Sequence, residues 1–246
     1  MLPMDSMKQQ SDSPTPAPSD KEFRRSRKWI QELVCNRADQ FALYIREAAP
    51  KVRAKAIDWR SPKANDFREY RDGKALDALG LGTLRDELAR FWPARGPVWD
   101  ALGVGKETDE CFLLEAKAHI PEVVSSPTRA QGHSRSRIRG RLNDLKRSLG
   151  STAPADWSGT FYQYANRLAY LHWLRSHNIP AFLVSVYFTN APDVPNTVRS
   201  QDEWQGALTV IRTYLGLGRK HPLTPFVIDV FVDVEQMRRS RQSSVL

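Results

Sequence analysis

The stretch that decides the reading of this chain is Cys111-Phe112-Leu113-Leu114-Glu115-Ala116-Lys117-Ala118-His119. Successive side chains of a strand point to opposite faces. Phe112, Leu114, Ala116 and Ala118 then share one wholly apolar face, and Leu113, Glu115, Lys117 and His119 share the other. An acid and a base thus stand two residues apart on a strand with the composition of a buried one. The small Ala116 and Ala118 leave room for a helix to approach the apolar face. Charges on such a strand are expensive unless they are paired or share a cation. The bland alternative is an open sheet face on which both are solvated.

Just upstream, Gly96-Pro97-Val98-Trp99-Asp100-Ala101-Leu102 reads as a second apolar strand, over 97–103, with one acid in its middle. Gly103 to Asp109 is turn material. A hairpin of the two strands brings Asp100 beside Glu115. Two carboxylates at one point repel each other unless a cation shares them. Oxygen donors without a Cys or His cluster favour Mg²⁺, with Mn²⁺ as a substitute.

Asp100, residues 101–114, and then Glu115-Ala116-Lys117 on an apolar strand resemble the core of the PD-(D/E)XK nuclease superfamily. The wider strings Arg95 to Leu102 and Leu114 to His119 resemble an uncharacterised bacterial group of that superfamily. The resemblance covers about residues 83–232. It implies an α/β fold, a restriction-endonuclease-like central mixed sheet flanked by helices in the order αβββαβ. The literal Pro-Asp pair is missing, because Val98 and Trp99 separate Pro97 from Asp100. The resemblance further implies that Asp100 and Glu115 hold Mg²⁺ with the Ala116 carbonyl as a third ligand. Lys117 then positions the attacking water and stabilises the transition state. A further acid on the helix preceding the first strand is also implied. Leu84, Leu88 and Phe91 form a helical stripe in which Glu87 falls, whereas Asp86 points away. Glu87 is therefore the candidate, against the alternative of an edge residue paired with Arg90.

Downstream, a helix over 160–177 is apolar nearly all round and reads as buried. Its Gln163, Asn166 and Arg167 share a face, either lining the site to hold phosphate and water or forming a structural network. Gln163 is assigned to the catalytic group, Asn166 and Arg167 to nucleic-acid contact. A long helix over 129–149 carries Arg129, Arg135, Arg137, Arg139, Arg141, Lys146 and Arg147 against Asp144 alone, with Ile138, Leu142, Leu145 and Leu149 as its buried stripe. Arg135, Arg139 and Lys146 are its expected phosphate contacts. Further elements are a strand at Ala181 to Thr189, a helix near 202–216 capped by Ser200, and a strand at Phe226 to Val232.

The remainder divides into a disordered tail (1–20), a helical N-terminal extension (21–82), the core (83–237) and a basic C-terminal tail (238–246). In the extension, 21–48 reads as one helix, Trp59 to Lys63 as a loop, and short helical pieces fall near Asp66 to Arg71 and Lys74 to Leu79. The 246 residues carry a net charge of +9, which suits an anionic partner. With only Cys35 and Cys111 and no long apolar run, a reducing, cytoplasmic setting without membrane is expected. The function expected is Mg²⁺-dependent cleavage of nucleic acid, DNA first, with a homodimer as one oligomeric possibility. The alternatives are a nucleic-acid-binding module without turnover, or an interaction subunit of a nucleic-acid-processing machine.

Overall fold

The computed structural model describes residues 24–64 and 66–242; the expected tail at 1–20 lies outside them. Five strands form one mixed sheet in chain order, β1 (Ile57–Ser61), β2 (Ala101–Gly105), β3 (Cys111–Lys117), β4 (Ala181–Thr189) and β5 (Val227–Asp233). β1, β2 and β3 run antiparallel; β3, β4 and β5 run parallel. The expected α/β class with a mixed sheet is what the chain adopts.

Each face of the sheet has its own core. Phe112, Leu114 and Ala116 join Phe182, Val184 and Val186 on one side. Cys111, Leu113, Leu183 and Tyr187 face the other. Every residue of β4 is buried, as a central strand covered on both faces should be.

The first face is covered by α1 (Arg25–Asn36) and α2 (Ala38–Ala48). The sequence reading made these one helix; it breaks at Arg37, where φ is −140° and ψ 33°. A straight helix over both would run about 36 Å, whereas five strands span about 19 Å. The break lets α1 lie over β3 and β4 while α2 crosses from β5 to β1. β1 itself overturns the expected loop at Trp59 to Lys63. Ile57 and Trp59 point inward, Asp58 and Arg60 outward, and β1 pairs with β2. The 21–82 segment therefore supplies a sheet strand and a covering layer, and is not an appendage beside the core. Asp66 to Arg71 is not helical; Tyr70 forms an isolated bridge to Trp99.

On the second face pack α3 (Asp72–Ala78), α4 (Arg85–Phe91), α5 (Gly132–Ser148), α6 (Tyr162–Ser176) and α7 (Gln201–Tyr214). Ile138, Leu142 and Leu145 are the buried stripe of α5, as their spacing predicts. Ser200 caps α7 by accepting the Glu203 N–H. The expected basic C-terminal tail is helical as far as Gln242, in α8 (Val234–Gln242). Among the described residues no helix is long and apolar enough to cross a membrane.

Candidate active site

Ala101 pairs with Leu114 and Leu102 with Leu113, so the register, extended by one residue, sets Asp100 opposite Glu115. Asp100 sits one residue before β2 rather than in mid-strand. Pro97 has no N–H to pair, the Trp99 N–H goes to the Tyr70 carbonyl, and the Val98 carbonyl accepts from Arg167. Asp100 instead bonds β3 twice. Its own N–H donates to the Leu114 carbonyl at 3.1 Å, and its Oδ2 accepts the Ala116 N–H at 2.7 Å.

Gly96 seats this segment. A Cβ there would run into Tyr170 Oη and lie 2.8 Å from Asp72 Oδ1. That Asp72 carboxylate accepts the N–H groups of Arg95 and Gly96 at 2.9 and 2.8 Å.

Glu115 is 8% exposed, and both of its oxygens are engaged. Arg167 Nε donates to Oε2 at 2.6 Å, with Nη2 on the same oxygen, and Lys117 Nζ donates to Oε1 at 2.5 Å. Lys117 also donates to Gln163 Oε1 at 2.9 Å. Arg167 further donates to the carbonyl of Val98 and to Asn166 Oδ1, both at 3.0 Å, and lies 5.5 Å from the Trp99 ring centre. Its guanidinium, expected on nucleic acid, joins α6 to both acid-bearing segments as a clamp, and Arg167 also lines the cavity that Asp100 and Glu115 share.

The two acids are held differently. Burial pushes Asp100 up to about 7, helped by the charge of Glu115, against the pull of Lys117 and the Ala116 N–H. Burial also raises Glu115, but Arg167 and Lys117 together outweigh it and keep its carboxyl below the usual range.

Asp100, Glu115, Ala116, Lys117, Gln163 and Asn166 line one open cavity of about 520 Å³. The first turn of α6 also faces it, so the positive end of that helix's dipole is directed there. Ser125 Oγ accepts the Gln163 N–H at 2.9 Å and takes the place of a local cap, because Phe161 before the helix is left-handed with φ 63°. Behind Glu115 and Lys117 lies a chamber of about 30 Å³ beside Tyr164, Ser185 and Tyr187, enough for one or two waters. The register continues the polar row, since Glu115 pairs with Ser185 and Ser185 with Asp229. Arg212 holds Asp229 through an ion pair.

Two expected site residues, Glu87 and Lys146, lie elsewhere, as does His119 from the expected polar face of the β3 strand. Glu87 bonds His177 Nε2 at 2.8 Å, and His177 follows the far end of α6, about 20 Å along the helix from Gln163. Lys146 donates to the carbonyls of Ala153 and Ala155, so it ties down the loop after α5 instead of facing a partner. His119 starts the short turn after β3 and is not among the residues lining the cavity. Arg135 and Arg139 are exposed as expected, with Arg139 3.5 Å from Asp156.

The acid that sequence reasoning missed is Glu69. It lines the cavity, its charge adds to the upward push on Asp100, and it is held by Arg27 of α1 at 2.5 Å. It sits on irregular chain, where no periodicity marks it. Among the described residues no three His, Cys, Asp or Glu side chains group as a metal site. The carboxylates that line the cavity are Glu69, Asp100 and Glu115, with the amide oxygens of Gln163 and Asn166 beside them. No family model, no curated protein and no solved structure matches the chain.

Proposed function

We propose that this chain is a metal-dependent phosphodiesterase of nucleic acid, DNA first, working through Asp100, Glu115 and Lys117 in the manner of the PD-(D/E)XK nucleases it resembles. The observation that carries the reading is the seating of Asp100 on the Ala116 N–H. It puts two carboxylates, a lysine and the Gln163 amide at the wall of one solvent-open cavity. The antiparallel β1–β2–β3 order followed by a parallel β4 supports it, with α3 and α4 inserted between β1 and β2, and with β5 added.

The residues fit a hard divalent cation. Asp100 and Glu115 would hold Mg²⁺ or Mn²⁺ with the Ala116 carbonyl, an all-oxygen set that leaves positions for water. An Asp100 pushed up to about 7 gains from any cation beside it. When bound, such an ion supplies an acidified water and offsets charge on the phosphate. Lys117 orients that water and faces the negative charge developing on phosphorus. Gln163 holds the Lys117 ammonium on the cavity side, and Arg167 fixes Glu115. The two free thiols, Cys35 and Cys111, fit a reducing, cytoplasmic setting.

One observation favours a second reading, a binding module without turnover. Arg167 and Lys117 already neutralise Glu115 within the chain. Cleavage of plasmid, short duplex and single-stranded DNA with Mg²⁺, Mn²⁺ or EDTA separates the two. Metal-dependent cleavage by the wild type that Asp100→Asn loses supports hydrolysis. DNA binding without cleavage under every condition leaves the module.

A further inference from the structure

We infer that the cavity admits an unpaired DNA strand or strand end and not the interior of a duplex. This rests on the proposal that the cavity is a nucleic-acid site, and it adds which form of nucleic acid reaches it. The groups a phosphodiester must meet are recessed, since the Glu115 and Lys117 side chains are only 10% and 13% exposed. Three separate segments contribute to the cavity that holds them: Ser26 of α1, Arg95 before β2, and Pro127 and Arg129 before α5.

A duplex is a stiff rod with a persistence length of about 50 nm, and it cannot bring one of its phosphates down to recessed side chains without kinking or unpairing. At about 520 Å³ the cavity is in the size range of pockets that take small molecules, room for about one nucleotide and its neighbours.

The lining also suits a strand whose bases are free. Tyr162, half-buried at the start of α6, lines the cavity and offers an aromatic face for one base. Arg95 and Arg129 are exposed and belong to separate segments of the lining, where they meet the flanking phosphates. An aromatic platform between cations is the usual equipment for single strands. The reading makes a prediction opposite to that of charge alone. A duplex carries about twice the charge per length of a single strand, so a merely basic surface binds the duplex more tightly.

The test is binding of the full chain to a fluorescein-labelled 12-nucleotide DNA strand, to its blunt 12-base-pair duplex, and to that duplex with an unpaired tail. Anisotropy is read in EDTA and again with Ca²⁺, so no cleavage is required. The strand and the tailed duplex are expected to bind at least tenfold more tightly than the blunt duplex. Tyr162→Ala should lower strand affinity about tenfold, Tyr162→Phe should retain it, and Arg129→Glu should weaken the strand more than the blunt duplex. Equal or tighter binding of the blunt duplex overturns the inference, as does an absence of binding to every probe. A preference that survives Tyr162→Ala unchanged overturns the role of the ring. Strand preference without cleavage by any form of the protein counts against hydrolysis and leaves this inference standing.

Discussion

The Oδ2 atom of Asp100 accepts the backbone N–H of Ala116 at 2.7 Å, so the acid that precedes β2 is seated on the strand that carries Glu115. The bond fixes the carboxylate, but it does not offset the cost of burying that charge next to a second one. Asp100 is therefore pushed up to about 7, while Glu115, gripped by Arg167 and Lys117, is held down. Two acids in one cavity are thereby given different proton affinities.

The first prediction concerns stability against pH in EDTA. An unfolded Asp releases its proton near pH 3.9, and folded Asp100 releases it near 7. Between those values the folded chain holds the extra proton, so the Asp100 contribution to stability falls as pH rises from about 4 to about 7 and is level above that. The linked change is of order 2–4 kcal/mol. Glu115, depressed, acts in the other window, losing its contribution as pH falls below the ordinary carboxylate range. His172 and His221, which burial lowers, oppose the Asp100 trend, so the readout is the difference between wild type and Asp100→Asn. The variant should melt higher at pH 8 and lose the advantage toward pH 5. Parallel melting curves across that range would refute the burial argument.

The second prediction is catalytic. Lys117→Ala should lower Mg²⁺-dependent DNA cleavage about 10²- to 10³-fold, the usual cost of removing one preorganised transition-state donor. The fold should persist, because Lys117 is the last residue of β3 and borders the cavity rather than the apolar layer of Phe112, Leu114 and Ala116. Arg167 still neutralises Glu115 in the variant. Equal cleavage rates for wild type and Lys117→Ala, with matching circular dichroism, would remove Lys117 from the chemistry.

The third prediction separates two kinds of basic residue on α5. Arg135 and Arg139 are exposed, whereas Lys146 serves the carbonyls of Ala153 and Ala155. Reversing Arg135 and Arg139 to Glu should weaken DNA binding for all sequences alike and flatten the salt slope. Lys146→Met should leave the slope unchanged and cost about 1–3 kcal/mol of stability. Urea unfolding and binding at several salt concentrations read the two effects, and a slope that Lys146→Met flattens as much as the arginine variants would contradict the division.

What could be read from the sequence follows from the range of the interactions involved. β4 was legible because burial on both faces writes a nearly continuous apolar run, and β3 because its apolar residues alternate with the Glu115 and Lys117 row. The stripe of α5 and the Ser200 cap are also local patterns. The pairing of Asp100 with Glu115 was legible because a hairpin brings near neighbours in sequence together. β1 was not, because its five residues alternate beside Pro62 and pair with a strand some 40 residues away. Glu87 was misplaced for a similar reason. Its partner His177 comes from another helix, and a stripe on one short helix does not tell which neighbour it faces. The reach of Lys146 back to a following loop and the position of Glu69 on irregular chain leave no periodic mark at all.

The last prediction tests the clamp. Arg167 touches Glu115, the Val98 carbonyl and Asn166, and is 5% exposed. Removing one member of a buried ion pair leaves the other charge poorly compensated and typically costs about 3–5 kcal/mol. Arg167→Met should therefore destabilise strongly, with Lys117 alone left on Glu115. Arg167→Lys should recover only part of the loss, because a single ammonium cannot reproduce a planar fork that meets a carboxylate, a carbonyl and an amide at once. Glu115→Gln in the Arg167→Met background removes the stranded charge and should restore a large share of the stability. Both double-mutant partners sit in one network, so a coupling energy of about 1–3 kcal/mol is expected from the cycle. Urea unfolding of the four proteins measures it. Strictly additive losses would mean that Glu115 is held by its surroundings and not by Arg167. The proposed positioning of the acid through α6 would then have no energetic basis.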